Sequence, residues 1–259
     1  MTGPTRCFLT LAASALAFAD IASADDFSLN IGQDFSDGDY GQETESQVNV
    51  TTFGGRLRLG DWSFAASSGY IDLGSEPDNI ITLPGGREIL LSEGEEVKGF
   101  TDLVLSASGL LREETDSAPG VFLFTSVKLP TADDENGLGT GAADYSASLE
   151  LSKTFGSSIL YAYGGGRLRG ESDVIETRDS LNAGLGVQQL IGTKLVGALS
   201  YDYRGASFEG GDDAQEATLM LSWLATERLT ISGYVYTGFT DASPDLGAGL
   251  FVSHKIFRW

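Results

Sequence analysis

The chain has 259 residues, 37 of them acidic and 16 basic, giving a formal net charge of -21. A protein this acidic repels a phosphate backbone, which argues against nucleic-acid binding. Its single cysteine, Cys7, excludes a disulfide framework and a cysteine-based metal site.

The first residues read as a secretory signal peptide. Arg6 gives a positive start, Cys7 to Ala19 is apolar apart from Thr10 and Ser14, and Ala22-Ser23-Ala24 places small residues where a signal peptidase cleaves. The apolar run is shorter than the ~20 residues a helix needs to cross a bilayer. Cys7 lies too early to be a lipoprotein cysteine at the cleavage point. Residues 1–24 are therefore expected to be removed, leaving 25–259 as a thiol-free domain. No later stretch approaches ~20 unbroken apolar residues, so a bundle of spanning helices is excluded.

The rest divides into segments of strand character between turn-rich breaks. The predicted strands are Phe27–Gln33, Gln47–Leu59, Trp62–Leu73, Gly99–Leu111, Gly120–Leu129 and Asp144–Phe155. Ser158–Arg169, Thr177–Leu190, Lys194–Ser207, Ala217–Ala225, Arg228–Thr240 and Leu246–Trp259 follow. Most match or slightly exceed the ~9–11 residues of a tilted membrane-crossing strand. Their connections alternate. Gly60-Asp61, Gly156-Ser157, Ile191-Gly192 and Thr226-Glu227 are tight, and long loops such as Gly74–Lys98 and Pro130–Ala143 lie between them. Arg112–Pro119 falls in the tight series but is longer.

Within strands the period is two. In Lys194–Ser207, Leu195, Leu199, Tyr201 and Tyr203 share one face, and Ser200, Asp202 and Arg204 share the other. A two-sheet sandwich would show the same period. The export signal, the even strand count and the short-long turn alternation favour an all-β, closed antiparallel transmembrane barrel of about 12 strands. Hydrocarbon offers no hydrogen-bond partner, so every strand edge must be paired, which closure achieves. Aromatic residues near strand ends, among them Trp62, Tyr70, Phe155, Tyr201, Trp223 and Phe239, suit interfacial girdles.

The terminal Phe257-Arg258-Trp259 looks like the signal by which such barrels engage the outer-membrane insertion machinery, through Phe257 and Trp259. The alternation behind it is imperfect: stepping back by two from Phe257 gives Lys255, Ser253 and Phe251, the first two polar.

Lys128–Gly141 reads KLPTADDENGLGTG, and Asp144–Gly156 continues DYSASLELSKTFG. Gly99–Leu105, GFTDLVL, and the final AGLFVSHKIFRW add two further blocks. Together they resemble the outer-membrane family described as putative meta-pathway of phenol degradation proteins. Ala132 departs from the glycine frequent there, and the match covers about a fifth of the chain. The resemblance implies a 12-stranded barrel that moves small, often aromatic or apolar, compounds.

If apolar side chains face lipid, Arg56, Arg58, Asp102, Lys128, Glu150, Asp202 and Arg204 face the lumen as candidate selectivity residues. Lipid-facing Arg or Lys would cost ~2–4 kcal/mol at the midplane. Arg167 and Arg169 join them if the phase of their strand permits. Such charges either select solutes or pair with one another and fill the interior.

The loops carry most of the acidity, for example Glu93, Glu95, Asp133, Asp134, Asp212 and Asp213. They are either solvated or bridged through divalent cations to lipopolysaccharide. Thr131–Gly137 fails as a calcium loop: with the glycine in its sixth place, Ala132 and Ala143 stand where carboxylates are needed. No cofactor or metal site is expected. The one histidine, His254, lies in the last strand, and no Gly-x-Ser-x-Gly elbow occurs, so an enzyme is not expected.

The expectation is an outer-membrane channel or uptake protein for small molecules, with the bilayer, lipopolysaccharide and a small solute as partners. A non-conducting structural or adhesive barrel acting through its acidic loops is the alternative. The Gly74–Lys98 loop, centred on Leu83-Pro84-Gly85-Gly86, is expected to constrict the outer mouth.

Overall fold

The computed structural model describes residues 8–9, 18–19, 25–38, 40, 46–73, 80–83, 87–90, 97–173 and 175–259. The cleavage signal Ala22-Ser23-Ala24 and the Pro84-Gly85-Gly86 centre of the second long loop lie outside these residues.

Twelve antiparallel strands close into a barrel. They are β1 (Asp26–Gly38), β2 (Ser46–Leu59), β3 (Trp62–Leu73), β4 (segments Lys98–Phe100 and Leu103–Arg112), β5 (Gly120–Leu129) and β6 (Asp144–Phe155). β7 (Ser158–Leu168), β8 (Ser180–Ile191), β9 (Leu195–Arg204), β10 (Ala214–Leu224), β11 (Leu229–Gly238) and β12 (Leu246–Arg258) complete it. Each strand pairs with its chain neighbour, and β12 pairs back onto β1 from Leu246↔Asp37 to Arg258↔Asp26. No wall strand is left with an open edge, as hydrocarbon requires. Followed strand by strand, the pairings return to β1 about 14 residues displaced, which corresponds to a tilt of about 40° and a backbone radius of about 12 Å.

Besides three-residue shifts at the long-loop ends of β8, β9 and β10, two strands differ from the sequence expectation in a way that matters for the mouth. β1 runs on to Gly38, because its partner β2 pairs with it as far as Ser46. β4 is interrupted at Thr101-Asp102, whose side chains turn into structural work: Thr101 Oγ1 accepts Gly69 N–H at 2.9 Å, and Asp102 caps a loop described below.

Four connections at one end are tight, and glycines with positive φ stand in three of them: Gly60 (58°), Gly156 (63°) and Gly192 (67°). Both ends of the described barrel meet at that same end, where Trp259 N–H donates to Asp25 O at 3.1 Å. The longer Arg112–Pro119 connection is tied to the neighbouring hairpin: Glu114 accepts the Thr154 hydroxyl at 2.8 Å and pairs with Lys153 at 3.3 Å.

The outer wall is apolar. Leu149, Leu185, Leu199, Leu219, Leu221 and Leu250 are all exposed. Exposed aromatics ring both ends: Trp62, Phe155, Trp223, Phe257 and Trp259 on the tight-turn side, Tyr70, Phe100, Tyr145, Tyr201 and Phe239 on the other. An apolar belt between two aromatic girdles is the surface of a bilayer-spanning barrel.

A bulge between Lys255 and Phe257 explains the irregular C-terminal alternation. One extra residue switches side chains to the opposite face. Phe251 and Ser253 point inward and are buried, whereas Phe257 is 61% exposed on the outer wall.

Candidate functional site: the barrel lumen and its mouth

The parity of the strands sets all seven candidate lumen residues on the inner face, most of them in pairs and clusters rather than as an even lining. Arg58 Nη2 lies 2.8 Å from Asp26 Oδ2 near the tight-turn end. Arg56, 5% exposed, sits one inward step further along β2. Arg204 bonds to Glu216 on the adjacent strand, and Asp202 accepts the hydroxyls of Tyr163 at 2.7 Å and Ser200 at 2.8 Å. The phase of β7 is resolved as well. Arg167 falls on the inner face with Tyr161 and Tyr163, and Arg169 Nη1 lies 3.7 Å from Asp144.

Asp102 and Lys128 lie at the long-loop end, where the two sequence blocks GFTDLVL and KLPTADDENGLGTG meet. Lys128 Nζ is 3.2 Å from Asp102 and 3.3 Å from Asp144, and it donates to Thr140 Oγ1 at 2.7 Å. Asp102 Oδ1 accepts the backbone N–H groups of Thr131 and Ala132, each at 2.9 Å. These charges are almost fully buried, so only mutual neutralisation makes their burial tolerable. The cluster holds the β5–β6 loop, residues 130–143, against the barrel mouth.

An apolar contact fixes the same loop. Leu138, 4% exposed, packs with Tyr40, Val48, Val50, Ile71 and Val97. Val48, Val50 and Ile71 are inward residues of β2 and β3, so Leu138 lies inside the mouth. A Cβ at Gly99 would come within 2.3 Å of Leu138 Cδ1, so that glycine makes room for it. The Gly74–Lys98 loop, expected to constrict the mouth, lies largely outside the described residues; among those described, its Val97 joins the cluster, and the β5–β6 loop is folded into the mouth beside it.

Sequence reading missed a second feature, two tyrosine rows. Tyr163 on β7 is paired with Gly184 on β8, which is paired with Asp202 on β9. Tyr234 on β11 is paired with Gly249 on β12, which is paired with Asp34 on β1. In each row the ring lies across the glycine: a Cβ would fall 2.4 Å from Tyr163 at Gly184 and 2.3 Å from Tyr234 at Gly249. Each hydroxyl then reaches the carboxylate two strands away. Tyr234 donates to Asp34 at 2.7 Å, and Tyr236 donates to the same carboxylate at 2.8 Å. The signal was present as Tyr-x-Tyr and Gly-x-Gly in neighbouring strands, YAY with GLG and YVY with GAG, but it acquires meaning only once register is known.

The β4–β6 wall is different in character. Phe122 and Phe124 face inward, paired with Glu150 and Ser148, and small serines such as Ser106, Ser108, Ser126 and Ser146 surround them. His254 lies on the outer face opposite Leu229, away from every lumen carboxylate.

No protein-family model matches the chain, and no curated protein matches its sequence. Solved structures do share its fold. The COG4313 outer membrane channel from Pseudomonas putida F1 is 13% identical, with a TM-score of 0.68 over 96% of this chain and 100% of that one. The NanC porin is 10% identical, with a TM-score of 0.55 over 88% and 100%. The translocator domain of the autotransporter NalP from Neisseria meningitidis is 12% identical, with a TM-score of 0.54 over 90% and 89%. The chain shares the closed-barrel fold of these outer-membrane proteins. At this identity the likeness is one of fold, and the fold serves channels and translocators alike.

Proposed function

We propose that this protein is an outer-membrane channel that admits small molecules through its lumen. The observation that carries the reading is the inverted polarity of the wall: leucines and aromatics outside, and serines, tyrosines and ionic groups inside a closed cylinder. The inward Phe122 and Phe124 favour solutes with an apolar or aromatic part, in line with the phenol-degradation family that the sequence blocks resemble. Arg56, Arg58, Asp102, Lys128, Glu150, Asp202 and Arg204 set the charge preference of the path. Export through a cleaved signal peptide at residues 1–24 and insertion through Phe257 and Trp259 complete the reading. Acidic loops would meet lipopolysaccharide across divalent cations.

Swelling of liposomes that contain the purified barrel tests it. Entry of arabinose at a rate proportional to protein supports the channel, and liposomes that stay sealed refute it.

A second reading has an observation of its own. Several inner charges are committed to one another, as in Asp26–Arg58 and Lys128–Asp102–Asp144. A filled, non-conducting barrel acting through its loops would look the same at those positions. The same liposomes separate the two readings.

A further inference from the structure

The inner wall is packed unevenly. From β7 round to β1 it is crowded with rings. Tyr161, Tyr163, Tyr236 and Phe251 are 5%, 9%, 6% and 4% exposed, and they lie across Gly186, Gly184, Gly247 and Gly32 of the neighbouring strands. On the same side Ser222 and Ser232, whose hydroxyls meet at 2.8 Å, are 0% and 1% exposed. The facing wall holds a matching pair in the opposite condition. Ser126 and Ser146 meet at 2.6 Å, yet both keep accessible surface. Ser106 and Ser108 on β4 do so too, as do Phe122 and Phe124 on β5. These side chains point into the barrel, so the surface they expose faces the lumen. The accessible strip follows β5 from Ser126, towards the long loops, to Phe122, towards the tight turns. It bears no charge. Lys128 and Glu150, which border it, and Arg56, on the inner face of β2, are buried.

We infer that the solute path is an off-centre slot against β4 and β5, lined by Ser106, Ser108, Ser126, Phe122 and Phe124, and that it selects uncharged solutes. Serine hydroxyls offer donors and acceptors to the polar edge of a solute, and the two rings offer surface to its apolar face. An ion entering the slot would shed hydration beside groups that carry no compensating charge. The ionic residues of the interior, neutralised within their own clusters, thus express their charge preference by leaving the slot neutral.

Use of the slot in transport rests on the channel reading, but its position can be measured separately. Residues 25–259 contain no cysteine, so single cysteines report cleanly. The barrel in detergent micelles is treated with iodoacetamide, a small uncharged reagent. Ser126→Cys and Ser106→Cys should be alkylated at least about tenfold faster than Ser232→Cys, because the reaction requires an accessible thiol. Heat-modifiable migration on gels establishes that each variant is folded, and Ser222→Cys replaces Ser232→Cys if the latter fails. Entry of labelled solutes into liposomes tests the selectivity in mildly acidic buffer. Arabinose should enter at least about tenfold faster than arabinonate or glucosamine. Ser106→Asp should raise glucosamine entry by about threefold or more and leave arabinonate slow. Alkylation that does not separate the two walls would overturn the slot, and a charged sugar entering the wild type as fast as arabinose would overturn its selectivity. Liposomes sealed to arabinose, with alkylation still confined to the β4–β5 side, would refute the channel and leave the slot standing.

Discussion

Replacing Lys128 by methionine should release the β5–β6 loop from the barrel mouth. The lysine is 3% exposed and sits between Asp102 and Asp144, at 3.2 and 3.3 Å. Methionine keeps most of the volume and removes the charge. Two buried carboxylates then remain with Arg169, 3.7 Å from Asp144, as the neighbouring cation. Breaking a buried pair on one side costs about 3–5 kcal/mol, because the abandoned charge stays desolvated. The cost falls on the loop that the cluster holds, and the twelve-strand ladder does not depend on it. A loop-opening equilibrium should therefore shift by about a hundredfold to a few thousandfold. Hydrogen exchange read by mass spectrometry reports this directly. The amides of Thr131 and Ala132, bonded to Asp102, and of Leu138, bonded to Asp133 O at 2.9 Å, should exchange faster by that factor. Strand β9 should exchange as before. Adding Asp102→Asn should recover part of the protection, since one uncompensated charge is removed. Unchanged exchange at these amides in Lys128→Met would refute the view that the ionic cluster holds the loop.

Three further outcomes follow from the same structure. Gly249→Ala should push the Tyr234 ring off the wall and break its bond to Asp34, costing about 1–3 kcal/mol by overpacking; a urea-unfolding midpoint equal to wild type would contradict this. Leu219→Arg places a charge on the lipid face of β10 and should destabilise the inserted barrel by about 2–4 kcal/mol, whereas the same change at an exposed loop position should cost little when both are unfolded from lipid vesicles. In the β9–β10 loop, bonds from the Tyr203 hydroxyl at 2.7 Å and the Ala206 N–H at 2.9 Å hold the Asp213 carboxyl below its ordinary 3.8. The stabilisation is present above the unfolded value and is lost as pH falls through the lower folded one. Amide exchange at Ala206 should then stay protected to below the ordinary carboxylate range, and Tyr203→Phe should move the loss of protection to higher pH.

The architecture was legible because its causes are local. Lipid outside and water inside impose a period of two on each strand, and short turns demand glycine with positive φ, as at Gly60, Gly156 and Gly192. Those features can be read one segment at a time. Phe251 and Phe257 show where local reading stops, since a one-residue bulge between them reverses the face and no residue type announces it.

The interior was legible in sign and not in arrangement. The seven charges could be set on the inner face by parity alone. That Lys128 meets Asp102, 26 positions earlier, and Asp144, 16 positions later, depends on the register of three strands and the path of a loop. The rows Tyr163–Gly184–Asp202 and Tyr234–Gly249–Asp34 depend on register even more, the second because it crosses the closure between β12 and β1. The β5–β6 loop read as solvated because Asp133, Asp134 and Glu135 dominate it. Its fold is decided instead by Leu138 and by the polar backbone groups that Asp102 satisfies.

Single-channel recording in a planar bilayer tests the central claim most directly. Residues 25–259, refolded and added at low concentration, should insert in discrete steps, each leaving a stable ohmic conductance. Insertion verified by protease protection, with the membrane current still flat, would contradict a solute-conducting lumen.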